Sequence, residues 1–125
     1  MENRYLFRGK RKDNGEWIQG YLYGIWERRY ILWGMTNDIP NMVEVDPETV
    51  CKCTAMPDKN KKLVFEHDIV WDSDERAFYE IIWNQEDMCW NVEDADGHKS
   101  EFEECYGSTI EVNGNRFDNP ELLEV

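Results

Sequence analysis

The residues whose types could support chemistry are acids that follow a histidine. His67 is followed closely by Asp68, Asp72, Asp74 and Glu75. Carboxylate oxygens bind divalent cations, and a histidine beside an acid is the pairing from which a general base is built. However, no calcium-loop spacing is present, and no motif places a serine or cysteine nucleophile. We therefore interpret these acids as a solvated turn and expect no catalytic residue, with a metal-dependent enzyme kept as an alternative.

The four cysteines, Cys51, Cys53, Cys89 and Cys105, have the wrong spacing for a zinc site. Zinc sites favour two to four residues between paired cysteines, but a single residue separates Cys51 from Cys53. In a cytosolic chain cysteines remain thiols by default. We expect no metal ligand and no cofactor.

The net charge of −13 is unevenly distributed along the chain. Residues 1–65 contain 11 Lys and Arg against 9 Asp and Glu, whereas residues 66–125 contain 3 against 18. An acidic field of this kind repels nucleic-acid phosphates, so direct nucleic-acid binding is disfavoured. The same charge raises the hypothesis of an acidic mimic that occupies a nucleic-acid-binding site on another protein.

The chain has the length of one domain, and we expect a single domain over residues 1–125. It has no apolar run long enough for a membrane helix and no signal peptide, so we expect a cytoplasmic protein and no membrane partner. Short apolar runs separated by turn sequences such as Asn14-Gly15 and Asp96-Gly97 predict an all-β fold. These patterns favour a barrel or a sandwich without selecting between them.

Two segments lack a strand pattern. Residues 46–65 are predicted to form a long ordered loop between apolar anchors, and Met35–Asn41 is predicted to be a shorter loop. Asn119-Pro120 followed by an acid is typical of a helix start, so we expect a short helical turn at the C-terminus.

Most of the 17 aromatic residues are expected to fill the core, because aromatic rings pack well in a small β domain. Trp26 is the best candidate for an exposed aromatic, because it lies beside Glu27, Arg28 and Arg29 in a predicted connection. An exposed aromatic surface is typical of peptide-binding modules. The candidate interaction surface therefore contains Trp26, Arg28 and Arg29, together with the predicted turn residues Asp58, Lys59 and Asn60.

Two long motifs carry a resemblance to a known family. Residues 45–70 are VDPETVCKCTAMPDKNKKLVFEHDIV, and residues 110–123 are IEVNGNRFDNPELL. Both are similar to signature segments of the YopX-like family of phage and prophage proteins, and Arg4–Lys10 resembles the family's opening strand more loosely. The resemblance implies a small domain with an SH3-type barrel or roll, a phage or prophage origin, and no established biochemical activity.

The resemblance also assigns structural roles within the motifs. The residues expected to be structural are Asp46, Pro47, Asp68, Asn115, Asn119 and Pro120. Four residues, Cys51, Ala55, Lys61 and His67, stand where the family usually has glycine. Because glycine is used where φ is positive, we expect Ala55 and Lys61 to change the loop path, whereas His67 tolerates a left-handed conformation.

Together these observations predict a non-catalytic protein-interaction module that binds a host or phage protein. Exposed edge strands also make a homo-oligomer plausible.

Overall fold

The structure is a computed structural model that describes residues 5–124, without the side chains of Glu104 and Cys105. Arg4 of the opening motif and the thiol of Cys105 therefore lie outside the described residues. The chain divides into two compact units, residues 1–53 and residues 54–125, each of which is described by itself. Among residues 5–124, no helix has the length and apolar character needed to cross a membrane.

The first unit is an antiparallel sheet with the strand order β4-β3-β2-β1-β5. Its strands are β1 (Phe7–Lys10), β2 (Trp17–Ile25), β3 (Arg28–Thr36), β4 (Ile39–Val45) and the first residues of β5 (Cys51–Pro57). The buried side chains of this unit include Ile31, Val45, Cys51 and Cys53. The bridge Arg11↔Val45 brings the end of β1 to the end of β4.

The structure corrects both loop predictions in this part of the chain. Met35–Asn41 is not a loop, because β3 continues to Thr36 and β4 begins at Ile39, leaving only Asn37 and Asp38 as the turn. Residues 46–65 are not one long loop either. They contain a 3-10 helix (Pro47–Thr49), the whole of β5 and a further strand, β6 (Leu63–Phe65). The buried, exposed, buried order of Cys51, Lys52 and Cys53 is typical of a strand with one covered face.

The second unit contains a five-stranded antiparallel sheet with the order β10-β9-β8-β7-β11. Its strands are β7 (Asp68–Asp72), β8 (Ala77–Asn84), β9 (Cys89–Glu93), β10 (Lys99–Glu101) and β11 (Ile110–Asn115). In the same unit β6 neighbours the later residues of β5. The core cluster consists of Val64, Val70, Ile81, Val92, Phe102 and Ile110.

The remaining helical segments of the second unit are 3-10 helices at Glu104–Ser108 and Pro120–Leu123. The protein is therefore all-β, as its turn-punctuated sequence predicts. In the described residues the only link between the outer strands of the first four is the bridge Arg11↔Val45, and the pairing of the named strands does not define a closed barrel.

Candidate interaction surface

Exposed hydrophobic residues are concentrated in one segment of the first unit. Of the eleven large hydrophobic residues that are exposed in the described part of the chain, eight lie between residues 21 and 42. They are Tyr21, Tyr23, Ile25, Trp26, Trp33, Met35, Ile39 and Met42. A contiguous exposed apolar patch is a mark of an interaction site, whereas scattered hydrophobic residues need no explanation.

The strand register brings four of these eight side chains, Tyr21, Tyr23, Ile25 and Met42, to one face. Directly opposed residues share a face of an antiparallel sheet. Tyr21 is opposite Leu32, which is opposite Met42, and Tyr23 is opposite Tyr30 at a ring distance of 6.2 Å. We define the hairpin face by the side chains that this register places together: Tyr21, Tyr23, Ile25, Arg28, Tyr30, Leu32, Pro40, Met42 and Glu44. It is an aromatic and aliphatic surface with one basic and one acidic residue.

A pocket of about 430 Å³ lies on this face. It is lined by Tyr23, Leu32, Ile39, Pro40 and Met42, all of which present apolar carbon to it. The volume falls within the range of pockets that hold small ligands, so it can receive one large apolar side chain. The lining offers no charged side chain, and this composition favours an apolar ligand group over a charged one.

Trp26 lies in the turn between β2 and β3 and is the most exposed of the large hydrophobic residues, with 85 % of its surface accessible. Its φ of 51° is in the left-handed region, which costs a residue with a Cβ atom about 1–2 kcal/mol. The Arg29 Nη1 donates to the carbonyl oxygen of Trp26 at 2.7 Å and to that of Arg28 at 2.9 Å. The turn is thus held in a strained conformation that presents an indole ring to solvent.

The two arginines that the sequence predicted beside Trp26 have different roles. Arg29 uses its guanidinium to hold the turn, as described above. Arg28 is exposed, and a side-chain hydrogen bond with Tyr30, followed by the charge of Glu44, raises the pKa of its guanidinium above the ordinary value. Arg28 is therefore the residue that presents positive charge at this end of the hairpin face.

The second predicted part of the surface, Asp58 to Asn60, is built differently. Asp58 is buried, with 3 % of its surface accessible, because its carboxylate accepts three backbone N–H groups. Asn60 and Lys62 donate to Oδ1 at 2.8 and 2.9 Å, and Val112 donates to Oδ2 at 3.0 Å. Its inclusion in an exposed surface was therefore wrong. Lys59 and Asn60 remain accessible and contact the carboxylate of Glu111, at 3.9 and 3.3 Å.

Several motif residues form backbone-organising contacts. Asp46 caps the 3-10 helix that begins at Pro47 by accepting from the N–H of Glu48 at 3.1 Å. Asp68 is fully buried and accepts from the N–H of Phe65 at 2.8 Å. The Asn115 side-chain oxygen accepts from the N–H groups of Phe117 and Asp118, each at 2.9 Å, and the Asn115 N–H donates to the Asn119 Oδ1 at 3.3 Å. Pro120 begins the last 3-10 helix.

Three of the four residues that stand in place of the family's glycines have a left-handed backbone. Ala55, Lys61 and His67 have φ values of 66°, 65° and 68°, the left-handed values for which glycine is normally used. Ala55 and Lys61 hold these values without glycine, and the expectation that they change the loop path stays a prediction. The hydrogen bonds of Asp58, whose turn includes Lys61, are strong enough to hold a non-glycine residue in this conformation.

The histidine pairs with an acid other than its sequence neighbour Asp68. His67 Nδ1 lies 2.7 Å from Glu80 Oε2, and Arg116 Nη1 lies 3.3 Å from the same oxygen. His67 Nε2 is also 3.6 Å from Glu66. Glu80 is nearly buried, and the guanidinium of Arg116 compensates its charge while the His67 ring contacts the same oxygen. Sequence reasoning missed this cluster, because Glu80 and Arg116 are far from His67 along the chain.

The acids singled out from the sequence do not converge on a cation site. Asp68 and Asp72 are both buried and bound to backbone, with Asp72 accepting from the N–H of Asp74 at 2.9 Å. A different trio, Asp94, Asp96 and His98, has ligand atoms within 4.8 Å of one another. In the sequence this trio could have been found from its spacing, because one residue separates each potential ligand from the next. The carboxylate of Asp94 already accepts from the N–H groups of Asp96 and His98, at 3.0 and 2.9 Å.

The described cysteines are covered rather than reactive. Cys51 and Cys53 are buried, and the Cys51 thiol donates to the carbonyl oxygen of Thr49 at 3.2 Å. Loss of contact with water, followed by the charges of Glu101 and Asp87, raises the pKa of the Cys89 thiol above its ordinary value. A raised pKa keeps the thiol protonated and a poor nucleophile.

The fold and the exposed apolar face define a small, acidic, all-β protein whose most distinctive surface is the hairpin face. The model of the YopX protein family matches residues 6–124, which is nearly the whole chain. The chain therefore belongs to the YopX protein family. No curated protein matches the chain.

Proposed function

We propose that this protein is a non-catalytic protein-interaction module that binds a host or phage protein through the hairpin face. The observation that carries the proposal is the exposed apolar set on this face, Tyr21, Tyr23, Ile25 and Met42, with Ile39 in the wall of its pocket. Hydrophobic and aromatic residues concentrated on one surface gain free energy when a partner covers them.

The composition of the face matches the anatomy of protein interfaces. Tyrosine, tryptophan, methionine and arginine are enriched at the centres of interfaces. The hairpin face contains Tyr21, Tyr23, Tyr30, Arg28 and Met42, and Trp26 lies in the turn at its end. Trp26 has the character of an anchor residue, because tryptophan is among the commonest residues that dominate binding energy. Its turn is fixed before binding, which lowers the ordering cost of association.

The test is an affinity capture from host lysate, with nuclease present and mass spectrometry as the readout. The bait is compared with the Met42→Arg variant, which places a charge in the pocket, and with Met88→Ala as a control. Met88 is an exposed methionine of the second unit, so its loss leaves the hairpin face intact. The proposal expects one protein retained by the wild type and Met88→Ala but lost with Met42→Arg. Equal retention by all three baits would contradict it.

A second candidate function is favoured by the charge distribution. Residues 1–53 contain eight Lys and Arg and eight Asp and Glu, whereas residues 54–125 contain six and nineteen. The second unit therefore carries the whole net charge of −13. An acidic surface of this density could occupy the basic site of a nucleic-acid-binding protein. Such a complex is expected to weaken steeply with salt and to be displaced by DNA, whereas binding through the apolar hairpin face is expected to be nearly insensitive to both.

The same proposal includes the finer expectations from the family resemblance. We place the protein in a phage or prophage, in the cytoplasm, with its strands arranged as an SH3-type roll. The approach of β1 to β4 at Arg11↔Val45 supports a strongly coiled first unit, as such a roll requires.

A further inference from the structure

We propose that the hairpin face of one copy binds a second copy of this chain, with Trp26 of each copy inserted into the apolar pocket of the other. This inference rests on one part of the proposed function, that the hairpin face binds protein, and it assigns a second copy of the chain as that protein. Each step follows from a feature of the first unit.

The first feature is an anchor that its own chain leaves uncovered. Trp26 is 85 % accessible and is held in a left-handed conformation by hydrogen bonds from Arg29 to the carbonyl oxygens of Trp26 and Arg28. Seven other described non-glycine residues have similar positive φ values, so the exposure of the indole, rather than its backbone conformation, distinguishes Trp26. In the isolated chain the exposed indole gains no stabilisation from burial. We therefore infer that a site on a second molecule receives it.

The second feature is a receiving pocket of matching chemistry. The pocket of about 430 Å³ is lined by Tyr23, Leu32, Ile39, Pro40 and Met42 and has room for an indole ring. Aromatic and methionine side chains in its wall offer edge-to-face and sulfur contacts to such a ring. Because Trp26 and the pocket lie in the same unit, a two-fold axis forms both contacts at once, which is how a self-complementary dimer interface is built.

The third feature is charge. Residues 1–53 are electrically neutral, whereas residues 54–125 carry −13, so the first unit is the part of the chain where two copies meet with least repulsion. The hairpin face contains one basic residue, Arg28, and one acidic residue, Glu44. Across a two-fold axis, Arg28 of each copy can face Glu44 of the other copy. The backbone edge of β4 is a poorer route to pairing, because Pro40 has no N–H to donate and the end of the strand is already bridged at Arg11↔Val45.

The test is sedimentation velocity of the full chain over a range from about 1 µM to about 500 µM. The wild type is expected to dimerise within this range, and Trp26→Ala is expected to weaken dimerisation at least about tenfold. The pocket variant Ile39→Arg is expected to have a similar effect. Both positions are exposed, so folding is expected to survive, as circular dichroism would verify. Met88→Ala serves as the control and is expected to dimerise like the wild type.

A mixing experiment separates reciprocal insertion from general stickiness. Trp26→Ala retains its pocket, and Ile39→Arg retains its tryptophan, so a mixed dimer keeps one of the two insertions. The labelled mixture is therefore expected to associate more tightly than either variant alone. A mixture no tighter than its components, a wild type that stays monomeric throughout, or a Trp26→Ala variant that dimerises normally would each overturn the inference. A monomer that still captures a different protein through the same face would leave the proposed function standing. A dimer that captures nothing would support the inference and count against a heterologous partner.

Discussion

The carboxylate of Asp58 accepts a hydrogen bond from the backbone N–H of Val112, a residue 54 positions further along the chain, at 3.0 Å. The other carboxylate oxygen holds the turn that contains Asn60 and Lys62. One buried side chain therefore closes a local turn and fixes that turn against β11. These hydrogen bonds compensate the free-energy cost of burying the carboxylate of Asp58.

The first prediction concerns the loss of this carboxylate. Asp58→Ala leaves three backbone N–H groups without their acceptor, and we expect it to lower the free energy of unfolding by about 3 kcal/mol. Asp58→Asn keeps one acceptor oxygen and is expected to cost less. Urea denaturation measures both changes. Glu86→Ala, at an exposed turn, is the control and should stay within about 0.5 kcal/mol of the wild type. An Asp58→Ala variant as stable as this control would refute the structural role.

The second prediction concerns Lys61, which has a φ of 65° in the same turn. Lys61→Gly relieves the left-handed strain, and we expect it to raise the free energy of unfolding by up to about 1 kcal/mol. The matched control is Lys62→Gly. Lys62 has no left-handed φ, so glycine there only adds freedom to the unfolded chain and is expected to destabilise by a similar amount. The prediction fails if the two variants shift the thermal midpoint in the same direction.

The all-β fold was predictable because turn sequences and short apolar runs are local signals. Asp96-Gly97 shows this at one turn, where Gly97 has the positive φ of 86° that such a sequence predicts. The strand β5 escaped prediction because its residues between Cys51 and Pro57 are small or polar and lie behind an Asp-Pro bend. In β5 two cysteines occupy the alternating buried positions that larger hydrophobic residues occupy in most strands.

The candidate surface was only partly predictable, for a physical reason. The exposure of Trp26 follows from its position among charged residues in a turn, which is a local property. The pocket on the hairpin face depends on register between β2, β3 and β4, and the register across the bulge between Leu32 and Met35 has no local sequence signal. The burial of Asp58 similarly depends on a donor in a distant strand, so composition alone assigned it to the surface.

The third prediction concerns acid stability at Asp94. The pKa of its carboxyl is held below the ordinary value, chiefly by the backbone N–H of His98, which binds the charged form. A lowered folded-state pKa contributes stability above the unfolded-state pKa, and this contribution is lost as the pH falls through the folded-state pKa. We therefore expect Asp94→Asn to be less stable than the wild type near pH 7. The difference in stability between the two proteins should shrink as the pH falls from about 5 to below 3.8, which is the ordinary pKa of an aspartate carboxyl.

Thermal unfolding at a series of pH values measures this difference. His98→Ala is the matched comparison, because it keeps the backbone N–H that makes the larger contribution and loses only the ring. It should retain most of the pH dependence of the wild type. A stability difference between Asp94→Asn and the wild type that stays constant across the series would contradict the assignment.

The fourth prediction concerns the close approach of backbones that aligns the hairpin face. A Cβ atom on Gly20 would overlap the carbonyl oxygen of Leu32, an atom of a neighbouring strand that cannot move without disturbing the register. We expect Gly20→Ala to lower the free energy of unfolding by at least about 2 kcal/mol. In Gly24→Ala the added atom meets only the flexible Arg29 side chain, at 3.2 Å, and the cost should stay below about 1 kcal/mol. Guanidinium denaturation of the two variants decides the matter. Because Leu32 lines the pocket, Gly20→Ala is also expected to weaken any binding through the hairpin face. Equal stability of the two alanine variants would show that this backbone approach does not fix the register.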